Sequence, residues 1–358
     1  MERFRTSRAG TGKSPRRGEV MLILSARMQW MARTLRLLAA LCVVGCHGKY
    51  KRPVSDEPIA PEAERLQRGS YLVNNVLYCG ACHTTREHGN TLTEPERTDA
   101  FLGGGNVYDD KAIGVVWVPN ITPDVETGIG SWKDDEILRV LRDGVAKDGH
   151  FLLPLMPFSA YQHLSDDDAR AVVAYLRTVP PYRQTRPRQE NKLGFMPKLL
   201  FKVIGVQMHK PIAGVAPPDR ANRHEYGHYL LRVAACGDCH SLAEKGPRPE
   251  TDPMAFAGSE VPFEDPGLGK VYASNISGDA ETGLGRYGAD AIKQALRNGT
   301  RLDGKKLAPP MSILIPHLSG MTEDDIDALV AYIKTLPAAK RKPPERQLNE
   351  ALRAQLGS

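Results

Sequence analysis

Cys79-Gly80-Ala81-Cys82-His83 and Cys236-Gly237-Asp238-Cys239-His240 are two copies of one pattern, C-x-x-C-H, in a chain of 358 residues. The spacing sets two thiols about one helical turn apart, with a histidine directly after the second. Such thiols take up the two vinyl groups of a haem as thioethers, and the histidine then meets one face of the iron. A redox dithiol, a zinc site and a structural disulfide use similar spacings. Two copies, each opening the same longer repeat, argue against all three, and cysteine usage supports this. Of six cysteines, four lie in the motifs and the others, Cys42 and Cys46, lie near the start. None remains for a disulfide or a four-cysteine zinc site. The pattern therefore predicts two covalently bound haem c groups, carried by Cys79, Cys82, Cys236 and Cys239, with His83 and His240 as axial iron ligands.

Each motif opens a longer repeat. Asn120-Ile121-Thr122-Pro123-Asp124-Val125-Glu126-Thr127-Gly128 recurs as Asn275-Ile276-Ser277-Gly278-Asp279-Ala280-Glu281-Thr282-Gly283. AVVAYLRTVP, residues 171–180, recurs as ALVAYIKTLP, residues 328–337, with six of ten positions identical. Both copies read helix, haem motif, Gly-rich loop, N-I-[TS] segment, helix, Pro/Met loop, last helix. Ser165 and Thr322 are N-cap hydroxyls for the last helix, with Asp168 and Asp325 three residues on, the spacing of a capping box. Apolar residues then follow at helical spacing until Pro180 and Pro337 stop the run. The expected fold is all-α, two tandem domains each wrapped around one haem. The expected boundaries are 1–45, a leader; 46–181, the first domain; 182–223, a basic connector; 224–345, the second domain; and 346–358, a polar tail. The connector holds nine Arg/Lys against Glu190 and Asp219. Its apolar and basic stretch from Leu193 to Val206 reads as packing between the domains, with a membrane surface or a partner as the other reading.

The start of the chain bears on compartment. Met31-Ala32-Arg33-Thr34, the apolar run from Leu37 and the small residue before Cys46 make a secretory leader. Val43-Val44-Gly45-Cys46 looks like a lipobox, which predicts a lipid on Cys46 and a periplasmic, membrane-anchored lipoprotein of a Gram-negative bacterium. The apolar run is far shorter than the roughly 20 residues of a spanning helix. Residues 1–30 lack any apolar period, as an extension upstream of a start at Met28 or Met31 would. The leader also explains the charge. The whole chain is +6, but residues 1–45 hold nine Arg/Lys against two Glu, so the rest is close to neutral. That balance removes the basic surface a nucleic-acid partner requires.

The sixth iron ligand separates a carrier from a ligand-binding site. Between His83 and Pro180 the one methionine is Met156, in Leu153-Pro154-Leu155-Met156-Pro157. In the second repeat Met311 aligns with it, whereas Met254 follows His240 too closely and Met321 opens the last helix. Met156 and Met311 are thus the expected axial ligands, with His163 and His317 as nearby alternatives. Asn120, Thr122, Asn275 and Ser277 either contact a haem propionate or close a turn.

The segments RGSYLVNNVLYCGACHT, PNITPDVETGIGSW, DGHFLLPLMPFSAYQHLSDDDARAVVAYLRTVPP and YLLRVAACGDCHS resemble the cytochrome c subunit of membrane-bound bacterial alcohol and gluconate dehydrogenases. The resemblance spans nearly all of residues 46–358. It implies tandem cytochrome c domains with His/Met haems that pass electrons from a dehydrogenase subunit to a quinone-linked complex or another cytochrome. The family's third haem domain and C-terminal membrane segment have no counterpart here, and Met311-Ser312 stands where the first copy has Met156-Pro157. The competing expectation is a dihaem peroxidase or a haem-based sensor, either of which needs one open iron.

Overall fold

A computed structural model describes residues 54–87, 94–110, 114–184, 212, 214–265, 267–301 and 303–356. The leader with Cys46, and Leu193 to Val206 of the connector, lie outside the described residues. In chain order the first repeat comprises α1 (Ala63–Tyr71), a π-helical segment (Leu72–Val76), α2 (Cys79–His83), β1 (Val107–Asp110), β2 (Gly114–Trp117), α3 (Asp134–Asp143), α4 (Phe158–Tyr161) and α5 (Asp166–Leu176). The second comprises α6 (Arg223–Val233), α7 (Cys236–His240), β3 (Leu242–Ala243), β4 (Gly246–Pro247), β5 (Phe263–Asp265), β6 (Gly269–Val271), α8 (Ala289–Asn298), α9 (Met311–Leu318) and α10 (Glu323–Ile333). β7 (Gln347–Leu348) and α11 (Glu350–Leu356) close the chain. None of the described helices is long and apolar enough to cross a membrane.

The all-α expectation needs amending at the Gly-rich loops. There the chain turns back on itself, and β1 pairs antiparallel with β2 from Val107↔Trp117 to Asp110↔Gly114. The corresponding loop of the second repeat forms β5 and β6, which β7 extends. The segment 346–358, expected as a polar tail, supplies that strand and α11. Leu348 and Leu352 are buried with Leu268, Val271 and Ala308 in a small satellite core.

In each repeat the first and last helices cross at a glycine. A Cβ on Gly69 would overlap the Ala171 carbonyl, and one on Gly227 would overlap the Ala328 carbonyl. From Gly69 to Cys79 is ten residues, but from Gly227 to Cys236 is nine. The extra residue is taken up by the π-helical segment, where the Leu77 N–H reaches the Leu72 carbonyl at 2.8 Å, a five-residue step. Both haem motifs thus begin from equivalent crossings despite unequal spacing.

One hydrophobic core runs through both repeats. It contains Leu72, Val76, Leu141 and Val172 from the first, and Leu230, Val233, Ile326 and Leu329 from the second. The seam within it is reciprocal. Tyr71 Oη donates to Asp325 Oδ2 at 2.7 Å, and its counterpart Tyr229 Oη donates to Asp168 Oδ2 at 2.6 Å. Each tyrosine oxygen also accepts the backbone N–H of the opposite N-cap residue, Thr322 at 3.2 Å and Ser165 at 3.3 Å. Ser165 and Thr322 cap their helices as expected, accepting the N–H groups of Asp168 and Asp325. The carboxylates do not complete a capping box. Asp168 takes a bidentate bond from Arg68 at 2.8 and 2.7 Å, and Asp325 takes a second tyrosine, Tyr226, at 3.1 Å. The cross-repeat tyrosine replaces the side chain that a capping box would return to the N-cap.

Two stability outcomes follow from these contacts. Gly69→Ala forces the α1–α5 crossing apart and lowers unfolding stability by about 1–3 kcal/mol in urea titration, the usual cost of overpacking. Tyr229→Phe removes a hydrogen bond to a carboxylate and an acceptor for Ser165, costing about 2 kcal/mol in the same assay. A Phe variant as stable as the parent would show that the seam does not depend on that bond.

Candidate haem sites

Both haem motifs start from a strained backbone. Tyr78, with φ 40°, and Ala235, with φ 53°, are left-handed non-glycine residues that end the preceding helix and start α2 and α7 at the first cysteine. Such a conformation costs a side-chain-bearing residue on the order of 1–2 kcal/mol, so matched occurrences mark a required turn. The surroundings are matched as well. The Gly104 N–H donates to the His83 carbonyl at 2.7 Å, and the Gly258 N–H donates to the His240 carbonyl at 2.9 Å. Thr84 and Ser241, next after the histidines, accept the N–H groups of Leu102 and Phe256 at 3.1 and 2.8 Å.

The histidines are set for one task. His83 Nδ1 lies 2.9 Å from the Pro119 carbonyl, and His240 Nδ1 lies 2.7 Å from the Ser274 carbonyl. A carbonyl only accepts, so Nδ1 carries the proton and the Nε2 lone pair is left for a metal. Burial lowers the proton affinity of both rings, with the carbonyl bond opposing it, and so favours the neutral imidazole. Burial, with the neighbouring motif cysteine, pushes the Cys79 and Cys236 thiols up to about 12. No disulfide involves any of the four motif cysteines.

Met156 and Met311 are both half-buried and packed against the core. Met156 ends a turn just before α4, while Met311 is the first residue of α9. Met321 is a core residue, 3% exposed, and the Met254 N–H is tied to the Asp252 carboxylate at 2.7 Å. His317 already has both ring nitrogens engaged, with the Asn74 carbonyl and with Glu96. His163 is half-buried against the other repeat's Arg232.

The repeated Asn and Thr/Ser side chains turn inward. Asn120 donates to Thr127 Oγ1 and the Tyr182 carbonyl, while its oxygen accepts from Thr122 N and Oγ1. Asn275 bonds Thr282 Oγ1 and the Ala339 carbonyl, and its oxygen accepts the Ser277 N–H. These amide donors are used within the chain, an arrangement that closes a turn in each repeat. Each Asn pins the irregular stretch that follows its last helix to the loop that holds the proximal histidine.

The two motifs sit side by side. Tyr78, one residue before Cys79, donates its hydroxyl to the Ala234 carbonyl, two residues before Cys236, at 2.5 Å. Tyr161 Oη reaches the Leu77 carbonyl at 3.0 Å behind the same junction. Paired thiols and a histidine presenting Nε2 fit a covalently bound haem in each repeat. Among the described residues no cluster of three or more His, Cys, Asp or Glu is placed to hold a bare metal ion.

Residues 64–176 match the family model of the cytochrome c oxidase cbb3-type subunit III, and residues 225–337 match that of cytochrome c. Both repeats are cytochrome c domains. The cofactors are accordingly two haem c groups. Similar proteins include the fructose dehydrogenase cytochrome subunit of Gluconobacter japonicus, 29% identical over 315 residues, covering 86% of this chain and 60% of that protein. The gluconate 2-dehydrogenase cytochrome c subunit of Pantoea cypripedii is 32% identical over 293 residues, 76% of this chain and 60% of that protein. A dihaem cytochrome c-type protein of Cereibacter sphaeroides is 24% identical over 308 residues, 84% of this chain and 97% of that protein. The chain thus spans about 60% of the length of the two dehydrogenase subunits.

The tyrosine exchange, the Nδ1 anchors and the Tyr78 bridge went unread in the sequence. The unequal glycine-to-cysteine spacing was a visible signal for the π segment; no local pattern marks the others. In the haem-loaded protein, Met156→Ala should leave the first iron open to carbon monoxide and lower its reduction potential, because a thioether ligand raises it. An unchanged spectrum and potential would remove Met156 from the ligand set.

Proposed function

We propose that this dihaem cytochrome is an electron carrier with no substrate chemistry of its own, relaying electrons from a dehydrogenase to the respiratory chain at the periplasmic side of a membrane. The observation that supports this reading is the side-by-side placement of two haem motifs, each with its proximal ring anchored to a backbone carbonyl, across a junction closed by Tyr78 and Ala234. Haem supplies the one-electron couple. The chain supplies its setting: carbonyl anchors orient the proximal rings, and methionines occupy the far faces. A shared core holds the motifs together, so an electron entering one domain has its next site in the same rigid unit.

The dehydrogenase partner is supported by the names of similar proteins, which are cytochrome subunits of fructose, gluconate and alcohol dehydrogenases. Quinone-linked complexes and other cytochromes are the natural acceptors for such a relay. A lipid on Cys46 would keep it near the membrane, and rests on the Val43-Val44-Gly45-Cys46 sequence.

Absorption spectra of the reduced, haem-loaded protein with and without carbon monoxide test the reading. Unchanged spectra at both haems are expected. Ready binding at one haem would overturn the carrier role and favour a peroxidase or sensor with an open iron.

A further inference from the structure

His163 and His317 follow Met156 and Met311 in the two repeats, and each faces the opposite repeat across the seam. Their environments differ. His317, on α9, places Nδ1 2.8 Å from the Asn74 carbonyl and Nε2 3.2 Å from Glu96 Oε1. A carbonyl and a carboxylate both accept, so the two bonds together require a ring protonated at both nitrogens. Glu96 also pairs with Arg86 at 3.5 Å, and Arg86 donates to the Ala81 carbonyl inside the first haem motif. The His317 ring also lies beside Gly80 of that motif, close enough to meet a Cβ placed there. A continuous chain of polar contacts thus runs from Ala81 through Arg86 and Glu96 to His317, and so to the helix that starts at Met311.

The charged groups around the ring are few. Glu96 and Arg86 face it from the loop after α2, while Glu94 and Lys306 line the same groove between the repeats. Burial disfavours the imidazolium, but Glu96 and the Asn74 carbonyl outweigh it and hold the ring's proton affinity above the usual imidazole range. At the other seam the carboxylate is already taken. Glu250 pairs with His228 at 2.6 Å and Arg232 at 2.8 Å, and burial beside Arg232 brings His163 down to about 4. The two seams thus shift their histidines in opposite directions, His317 towards the charged form and His163 towards the neutral one.

We propose that His317 is a pH-sensitive positioning residue: as an imidazolium it latches the Met311 helix onto the first haem motif, and losing its proton frees that helix and changes the second haem's potential. The latch itself stands on the contacts above. Its effect on potential rests on Met311 as the second iron's ligand. The sign follows from linkage. A raised proton affinity in the folded state stabilises the protein below the ordinary imidazole value of 6.5, and this is lost as pH rises through the folded-state value.

The test is carried out on the full haem-loaded protein, by thermal unfolding and redox titration at a series of pH values from 5 to 9, roughly the span a histidine commands. The parent should show a downward step in unfolding temperature and a step in the second haem's potential over the same interval. His317→Gln and Glu96→Gln should each flatten both steps, whereas a purely structural role would lower the unfolding temperature equally at every pH. Glu96→Gln keeps the histidine and serves should His317→Gln load haem poorly. Steps that persist in both variants overturn the proposal. A stability step that disappears while the potential step stays overturns the link to the second haem, and leaves the carrier reading to be judged by carbon monoxide binding.

Discussion

Two carboxylates, Asp168 and Asp325, each belong by sequence to one repeat and by hydrogen bonding to both. Each sits in the first turn of a last helix, takes a tyrosine hydroxyl from the other repeat, and shares that tyrosine with the N-cap beside it. Buried carboxylates are costly unless every lone pair is met, and here Arg68 and Tyr226 meet the remainder. The arrangement is strict because it is reciprocal. Moving one repeat relative to the other breaks four bonds at once, so the exchange fixes the relative position of the helices that carry the two haem motifs. The common apolar core supplies the attraction, and the polar exchange supplies the register.

That fixed register is what a carrier of two haems needs. The proximal histidines are oriented by backbone carbonyls, which have no rotamers to choose among and no charge to titrate. The Asn120 and Asn275 turns hold those carbonyl-bearing loops against the chain leaving each last helix. The sites are therefore held by backbone and by buried amides, with few adjustable parts. The seam around His317 is the exception, since there a carboxylate bonds the ring directly, whereas at its counterpart Glu250 is taken by His228 and Arg232.

Much of this was legible before any coordinates. C-x-x-C-H states its chemistry through spacing alone, and the duplicated N-I-[TS] and last-helix segments reveal the repeat because helical periodicity and N-cap hydroxyls act locally. What stayed hidden is non-local. Nothing near Asp168 in sequence distinguishes a residue that returns to its own N-cap from one that accepts Tyr229, because the competitor is 61 residues away. The hairpins escaped because the Gly-rich loops lack clean alternation. The tail looked polar because only Leu348, Leu352 and Leu356 carry its buried face. Asn120 and Asn275 suit either a cofactor contact or a turn by local sequence, and their bonds to the chain after each last helix are non-local.

The π-helical segment has a consequence of its own. An added residue in an α-helix ordinarily rotates everything beyond it by about 100°. Here the addition falls between the glycine crossing and the first cysteine, and a single wide turn absorbs it. The tyrosine exchange on one side and the haem motif on the other both keep their partners. If the two halves descend from one duplicated ancestor, this is a place where a length change could be retained without rebuilding either. It also gives the halves distinct identities: Tyr78, at the end of the wide turn, reaches across the junction, while Ala235 in the same place has no hydroxyl to return. A molecule with near two-fold pairing thereby acquires a direction, with one domain always giving the bond and the other always receiving it.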